Sequence, residues 1–197
     1  MPLKESYLFE GEPEFTNSPY GFAKLMMLVQ ARGYHAQYGM NVVVVIPFNA
    51  FGPYDNFDPR SSHVIPALIK KCFDAKESDE KELVVWGDGT PTRNFLYSED
   101  FANGLLLALE KMNTPEPINI GTDEEVSVKR TVELIMKHSG FKGTIRFDTT
   151  KPNGQPRRGA CIEKARKLIG YEPRFSFEEG LIKTIEWYKK ERDRDQS

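Results

Sequence analysis

Cysteine is scarce in this 197-residue chain, which carries only Cys72 and Cys161, far apart. Two distant thiols form neither a disulfide framework nor a metal-ligand spacing. A reducing compartment is the default for such a chain. Long apolar runs are also missing. The longest, such as NVVVVIPF (Asn41–Phe48), fall well short of the roughly 20 residues that cross a bilayer. Neither sign of charge dominates, since 27 Lys and Arg against 29 Asp and Glu leave a net charge of −2. That argues against a general nucleic-acid or membrane surface and confines any anion site to a local cluster. The opening stretch MPLKESYLFEGEPEF is acidic and polar, unlike a secretory leader. Together these features point to a cytoplasmic protein. One motif is absent as well. No G-x-G-x-x-G or G-x-x-G-x-x-G follows a strand and opens a helix, and SGFKG (Ser139–Gly143) follows a helix instead.

What is present has the rhythm of an α/β protein. Residues 1–17 lack periodicity and read as loop. Ser18 suits an N-cap and Pro19 a first helical position, so a helix is expected from about Pro19 to Tyr38, ending at Gly39. The β-branched run NVVVVIP after it reads as a strand buried on both faces, as in a parallel sheet. Further strands are expected at LVVWG, NFLYSED, PINIG and GTIRFD. Helices are expected at SHVIPALIKKCFDA, at SEDFANGLLLALEKM capped by Ser98, at SVKRTVELIMKHSG, and near Cys161–Leu168 and Phe177–Arg192. ESDEKE reads as a solvated charge run, DGTPTR as a turn and KPNGQPRRG as a basic loop. The pattern suggests part of a doubly wound sheet with a smaller substrate-binding lobe.

The chemistry-bearing candidates are few. In SPYGFAK, Tyr20 and Lys24 share a helix face at i and i+4. An ammonium beside a phenol favours the phenolate, and such a tyrosine can exchange a proton with a carbonyl or carbinol oxygen. With eight tyrosines in the chain, roughly 0.6 such pairs arise by chance, so the spacing alone carries little. The context adds weight: the helix feeds an apolar strand. LMMLV (Leu25–Val29) on that helix covers more than one face, so it is expected to be buried on two sides, against the sheet and lobe or against another subunit. His63, taken alone, reads first as a helix N-terminal residue and second as an acid or ligand. His35 and His138 read as surface residues. Arg93, Lys151, Arg157 and Arg158 lie in Gly/Pro-rich loops, and Lys70 and Lys71 lie on the helix after His63. They read either as diphosphate clamps or as solvated charge. Trp86 reads either as a platform for a base or sugar or as a core edge.

Taken together, SPYGFAK, VVVVIPFNAFGPYDNFDPRSSHVIPALIKK, VVWGDGTPTRNFLYSEDFA, INIGT and FDTTKPNGQPRR resemble the extended short-chain dehydrogenase/reductases, the NAD-dependent epimerase/dehydratase family. GPYDNF…SHVIPAL is similar to one branch of that family, NADP-dependent 3,5-epimerase/4-reductases acting on GDP-4-keto-6-deoxy-mannose. The resemblance implies the C-terminal part of a Rossmann-type parallel sheet with a smaller α+β nucleotide-sugar-binding lobe. Residues 1–50 would be what remains of the dinucleotide-binding domain. Residues 51–197 would be mainly the lobe, with segments near 98–120 returning to the sheet. It implies Tyr20 as general acid/base, Lys24 as its helper and a contact of the nicotinamide ribose, and His63 as the epimerisation acid beside the cofactor. Pro47, Phe48, Asn49 and Ala50 would line the nicotinamide end of an NADP(H) site. Asn49, Lys71, Trp86, Arg93 and Lys151 would contact the GDP-sugar, with no metal.

The family's Gly-rich β-α-β unit, catalytic serine and base cysteine have no counterpart in these residues, and neither Cys72 nor Cys161 stands at the cysteine's place. A sheet lacking its first strands is expected to expose unpaired edges and apolar faces. Two further readings stay open: a nucleotide-sugar 4-epimerase or 4,6-dehydratase, and a non-catalytic remnant that binds a nucleotide-sugar or dimerises through the Tyr20 helix. A homodimer is expected in either case.

Overall fold

The N-terminal segment is tied down by the Leu3 backbone, which bonds Gly159 O and Cys161 N–H, and by one buried amide. Asn119 is almost fully buried and donates its Nδ2 hydrogens to the carbonyls of Leu3 (3.0 Å) and Cys161 (3.1 Å), while its own N–H bonds Glu5 Oε1 at 2.8 Å. A computed structural model of the chain describes residues 2–195. Residues expected as plain loop thus form short 3-10 turns, Glu5–Phe9 and Phe15–Asn17, and Leu3 bridges Ala160 in parallel.

Helix α1 (Ser18–Tyr38) ends where expected, at Gly39, whose φ of 64° suits a residue without a Cβ and whose N–H caps His35 O. Its start differs by one position. Asn17 is the N-cap, because Ser18 already has helical angles continuous with the preceding 3-10 turn. The larger correction concerns burial. Only Leu28 and Ala31 are buried on α1; Phe22, Met26, Met27, Val29, Tyr34 and Tyr38 are exposed. Within this chain the helix is covered along one stripe only, so the described residues do not place it between sheet and lobe.

The run after it corrects in the same way. Strand β1 spans only Val45–Pro47 and pairs in parallel with β6 (Ile118–Ile120), Val45 facing Ile118. Val42–Ile46 are half-buried rather than enclosed, since no second strand among the described residues borders β1. Beyond it β2 (Ala50–Phe51) pairs in parallel with β5 (Leu96–Tyr97). Helix α3 (Ser98–Lys111) packs on this layer. Tyr97, not Ser98, is its N-cap. Gly104 lets α3 approach β6, because a Cβ there would lie 2.5 Å from Ile120. Helix α5 (Glu163–Ile169) completes an apolar cluster with Phe48, Leu96, Ile118, Ile120, Ile162 and Tyr171, so residues 160–171 join this layer as well as 98–120.

A second cluster lies around the five-residue parallel ladder of β3 (Glu82–Trp86) with β8 (Thr144–Asp148). Helices α2 (Val64–Glu77), α4 (Val128–Ser139) and α6 (Phe177–Asp195) contribute Ile69, Cys72, Ile135 and Leu181 to it. LVVWG and NFLYSED therefore do not pair with each other across DGTPTR. That stretch instead holds β4 (Thr92–Arg93), flanked by antiparallel β7 (Val126–Ser127) and parallel β9 (Arg157–Arg158). Every parallel pair joins strands distant in sequence, as crossover connections require. No helix of the described residues is long and apolar enough to cross a membrane.

Candidate active site

Pro19 and the first turn of α1 set Tyr20 and Lys24 one turn apart. Lys24 Nζ stands 5.5 Å from the centroid of the Tyr20 ring, a cation–π distance. The tyrosine is 67% exposed, so its hydroxyl is open to a ligand rather than enclosed by hydrocarbon.

The loop after β1 turns sharply at Asn49, whose φ is 33°. Two bonds hold it there. Leu96 N–H donates to Asn49 O (3.2 Å), and Asn49 Nδ2 donates to Asn94 O (3.0 Å). Pro47, Asn49 and Ala50 are exposed beside this turn, but Phe48 is not. Its ring belongs to the core cluster, so its side chain cannot line a cofactor. Asn94, which nothing in the sequence marks, is 4% exposed and also donates to Glu124 O (2.9 Å). It joins Arg93 in sequence to Asn49 in space.

His63 is the N-cap of α2 and is exposed, with no side-chain cap bond. Two helix turns or so further, Lys71 donates to the carbonyl of Val84 and is thereby fixed beside the middle of β3. Trp86 closes that strand and is 67% exposed, which removes the core-edge reading. Lys151, in the loop after β8, places Nζ 5.7 Å from the Trp86 ring centroid.

The basic loop sorts itself by partner. Arg157 is gripped by Glu125 through Nε (2.9 Å to each oxygen) and Nη2 (2.7 Å). That pair holds Glu125 below and Arg157 above its ordinary range, with Thr92 a further donor to the carboxylate. Arg158 and Arg93 are register partners on β9 and β4. Among the described residues neither meets a carboxylate. Burial, and then the Arg158 charge, pull Arg93 down from its ordinary value. Two adjacent cations with no carboxylate partner repel each other.

Trp86 and Lys151 thus meet at the ends of β3 and β8, Arg93 and Arg158 are paired on β4 and β9, and Lys71 is held at the middle of β3, while Tyr20 and Lys24 lie on α1. Among the described residues no hydrogen bond, ion pair or ring contact links the two groups, and the Asn49–Asn94 bond ties the β1–β2 turn to the residue after Arg93. His35 and His138 are half-buried rather than free on the surface. His35 Nδ1 lies 2.9 Å from Met40 O, and His138 Nε2 lies 2.7 Å from Glu178 Oε1. Cys72 is wholly buried, and burial pushes its thiol up to about 12, which leaves it inert.

The chain as a whole resembles known proteins. The family described as NAD dependent epimerase/dehydratase matches residues 2–121, more than half of the chain. The chain is 43% identical over 186 residues to the GDP-L-fucose synthase of Sinorhizobium fredii, covering 94% of this chain and 59% of that protein. It is 36% identical over 203 residues to the Escherichia coli GDP-L-fucose synthase, covering 98% and 63%. Among solved structures, a GDP-L-fucose synthetase of Naegleria fowleri bound to NADP superposes with a TM-score of 0.91 at 33% identity, covering 98% of this chain and 62% of that one. The chain therefore spans about three-fifths of the length of the curated relatives it matches. With the fold matched and residues 2–121 fitting the family's pattern, the chain belongs to the NAD dependent epimerase/dehydratase family.

Proposed function

We propose that this chain carries the sugar-nucleotide side, and the proton-transfer residues, of a GDP-L-fucose synthase-type reaction. In it GDP-4-keto-6-deoxy-mannose is epimerised at C3 and C5 and reduced at C4. One observation supports the reading most: the Tyr20 ring lies under an ammonium while its face of α1 stays open. Tyr20 would hand its proton to the C4 oxygen, and Lys24 would hold the phenol ready for that transfer. His63 would return a proton during epimerisation. Trp86 would support the base, and Arg93, Lys71 and Lys151 the diphosphate. Asn49 would orient the sugar.

The residues present fit one end of NADP(H) only. Exposed Pro47, Asn49 and Ala50 at the carboxyl end of β1, with Lys24, suit the nicotinamide and its ribose. No phosphate cradle accompanies them among the described residues. The glycines with positive φ lie at helix C-caps (Gly39, Gly140, Gly170) or in the β3–β4 and β8–β9 connections (Gly87, Gly89, Gly154), none of them between a strand and a helix N-terminus. When bound, the cofactor supplies the hydride that reduces C4. The Gly-rich unit would come from outside this sequence, and α1 would pair with a second copy in a homodimer. Two free cysteines suit a reducing, cytoplasmic setting.

The test joins the chain to the part of the Sinorhizobium fredii relative that it does not cover and follows NADPH oxidation with the keto-sugar nucleotide. Tyr20→Phe should lower turnover by about 10²–10⁴-fold. Unchanged turnover removes the proton-donor role. The chain alone should bind GDP weakly and NADPH more weakly still, and tight NADPH binding by it would contradict the division of labour. Release of a 4-epimer without net oxidation of NADPH would favour the epimerase alternative.

A further inference from the structure

Trp86 is exposed but not bare. It faces Asp148 in the β3–β8 ladder, and the chain doubles back just after Asp148. That turn is fixed. Asp148 O accepts from Lys151 N–H (3.2 Å), and Asp148 Oδ1 accepts from Thr150 N–H (3.1 Å) and Oγ1–H (2.6 Å). Two residues after Lys151, Asn153 Oδ1 accepts from Asp88 N–H at 2.7 Å, which pins the loop to the β3–β4 connection. Between these anchors the Lys151 side chain lies over the indole, Nζ 5.7 Å from the centroid, and makes no ion pair among the described residues.

We propose that Lys151 is a specificity-determining residue that makes this site select nucleotides over nucleosides, covering Trp86 until a phosphate draws it away. This rests on the reading of Trp86 as the base platform. A base that stacks on Trp86 must first displace the ammonium from the indole face. Breaking that exposed cation–π pair costs the equivalent of a factor of about two to five in affinity. A nucleoside has nothing to give Lys151 in return. A diphosphate does, because a charge-assisted bond to phosphate is stronger than the indole interaction. Arg93 and Arg158 hold the anion in the same loop cluster, with Arg93 Nη2 3.8 Å from where a Cβ on Gly154 would sit. One side chain therefore opposes the nucleoside and favours the nucleotide. A lysine that only bound phosphate would leave nucleoside affinity untouched, and one that only decorated the surface would affect neither.

The chain holds two tryptophans, Trp86 and Trp187, so Trp187→Phe leaves Trp86 emission as the reporter. Guanosine and GDP are titrated into this chain and into its Lys151→Met derivative. The proposal expects opposite signs: guanosine about two- to fivefold tighter without Lys151, and GDP about tenfold weaker. Weakening of both ligands, or unchanged guanosine affinity, overturns it while leaving the nucleotide site intact. No response of Trp86 to either ligand in the presence of Lys151 overturns the base platform itself, and the selection with it. Because Trp187 packs on Tyr54 and Phe57, the same titrations are repeated with Trp187 in place. There the Trp86 indole resonance of a 15N-tryptophan-labelled chain, assigned by Trp86→Phe, is followed instead.

Discussion

Arg93 and Arg158 stand side by side on adjacent parallel strands, and no carboxylate among the described residues answers either of them. The neighbour in sequence, Arg157, is fully engaged with Glu125. Parallel neighbours project to the same face, so the two unpaired cations repel each other, and an anion between them would relieve that repulsion.

This contrast between adjacent arginines is testable. Arg158→Ala should weaken GDP binding about tenfold, the loss of one charge-assisted phosphate bond. It should leave thermal stability unchanged or slightly raised, since a like-charge repulsion is relieved. Arg157→Ala should do the reverse, lowering thermal stability slightly, as for an exposed ion pair, with GDP affinity little altered. Isothermal titration and thermal melts on both variants check the pair of signs. Equal effects of the two substitutions on GDP would remove the anion site from the β4–β9 pair.

Acid stability should depend on Glu178. Its carboxylate, at the start of α6, is bonded by Lys137 (2.8 Å) and His138 (2.7 Å) from α4, with Arg130 at 3.7 Å. The Lys137 bond, then that of His138, lowers its pKa from 4.5 to about 2. A lowered carboxylate stabilises the fold above its unfolded pKa, and that stabilisation is lost as pH falls through the folded value. Glu178→Gln should therefore flatten the pH dependence of the melting temperature between about 4.5 and about 2. An identical slope in parent and variant would refute the α4–α6 link.

Much of the fold is legible in the sequence, for identifiable reasons. The Gly39 stop of α1, the Ser127 cap of α4 and the strands at Glu82–Trp86 and Thr144–Asp148 are written in local residues. The partners of those strands are not, because parallel pairing is decided by crossovers and not by turns. The burial of NVVVVIP and LMMLV is hidden for a related cause. Apolar composition says that a surface is suited to being covered, not that this chain covers it. Within the candidate site, Tyr20, Lys24, Trp86 and Arg93 are marked by motif. Asn94 is not, since its role arises only where β5 meets the turn at Asn49.

A buried carboxylate makes a third case. Asp100, in the first turn of α3, is 0% exposed and accepts from the N–H groups of Arg174 and Phe175, each at 3.0 Å. It is what ties the entry of α6 to the β1–β6 layer. Asp100→Ala leaves two backbone donors unsatisfied and should lower unfolding stability by about 3 kcal/mol. Asp100→Asn, which keeps one acceptor oxygen, should lose roughly half as much. Urea denaturation of both variants gives the order, and equal losses would show that packing rather than acceptance matters at this position.

The exposed stripe of α1 leads to the last expectation. Phe22, Met26 and Val29 follow one another at i, i+4 and i+7, so they share one face of the helix, and all three are exposed. The stripe that meets the rest of the chain is a different one, marked by Leu28 and by Arg32, which reaches Glu116 at 3.0 Å. A row of three apolar side chains on a free helix face suits a matching helix in a second copy, and two-fold pairing would bury it against itself. Met26→Glu combined with Val29→Lys should shift sedimentation from dimer toward monomer. The melting temperature extrapolated to low concentration should not change, because neither residue supports the fold of its own chain. A parent chain that sediments as a monomer at every concentration would rule out self-pairing through this face.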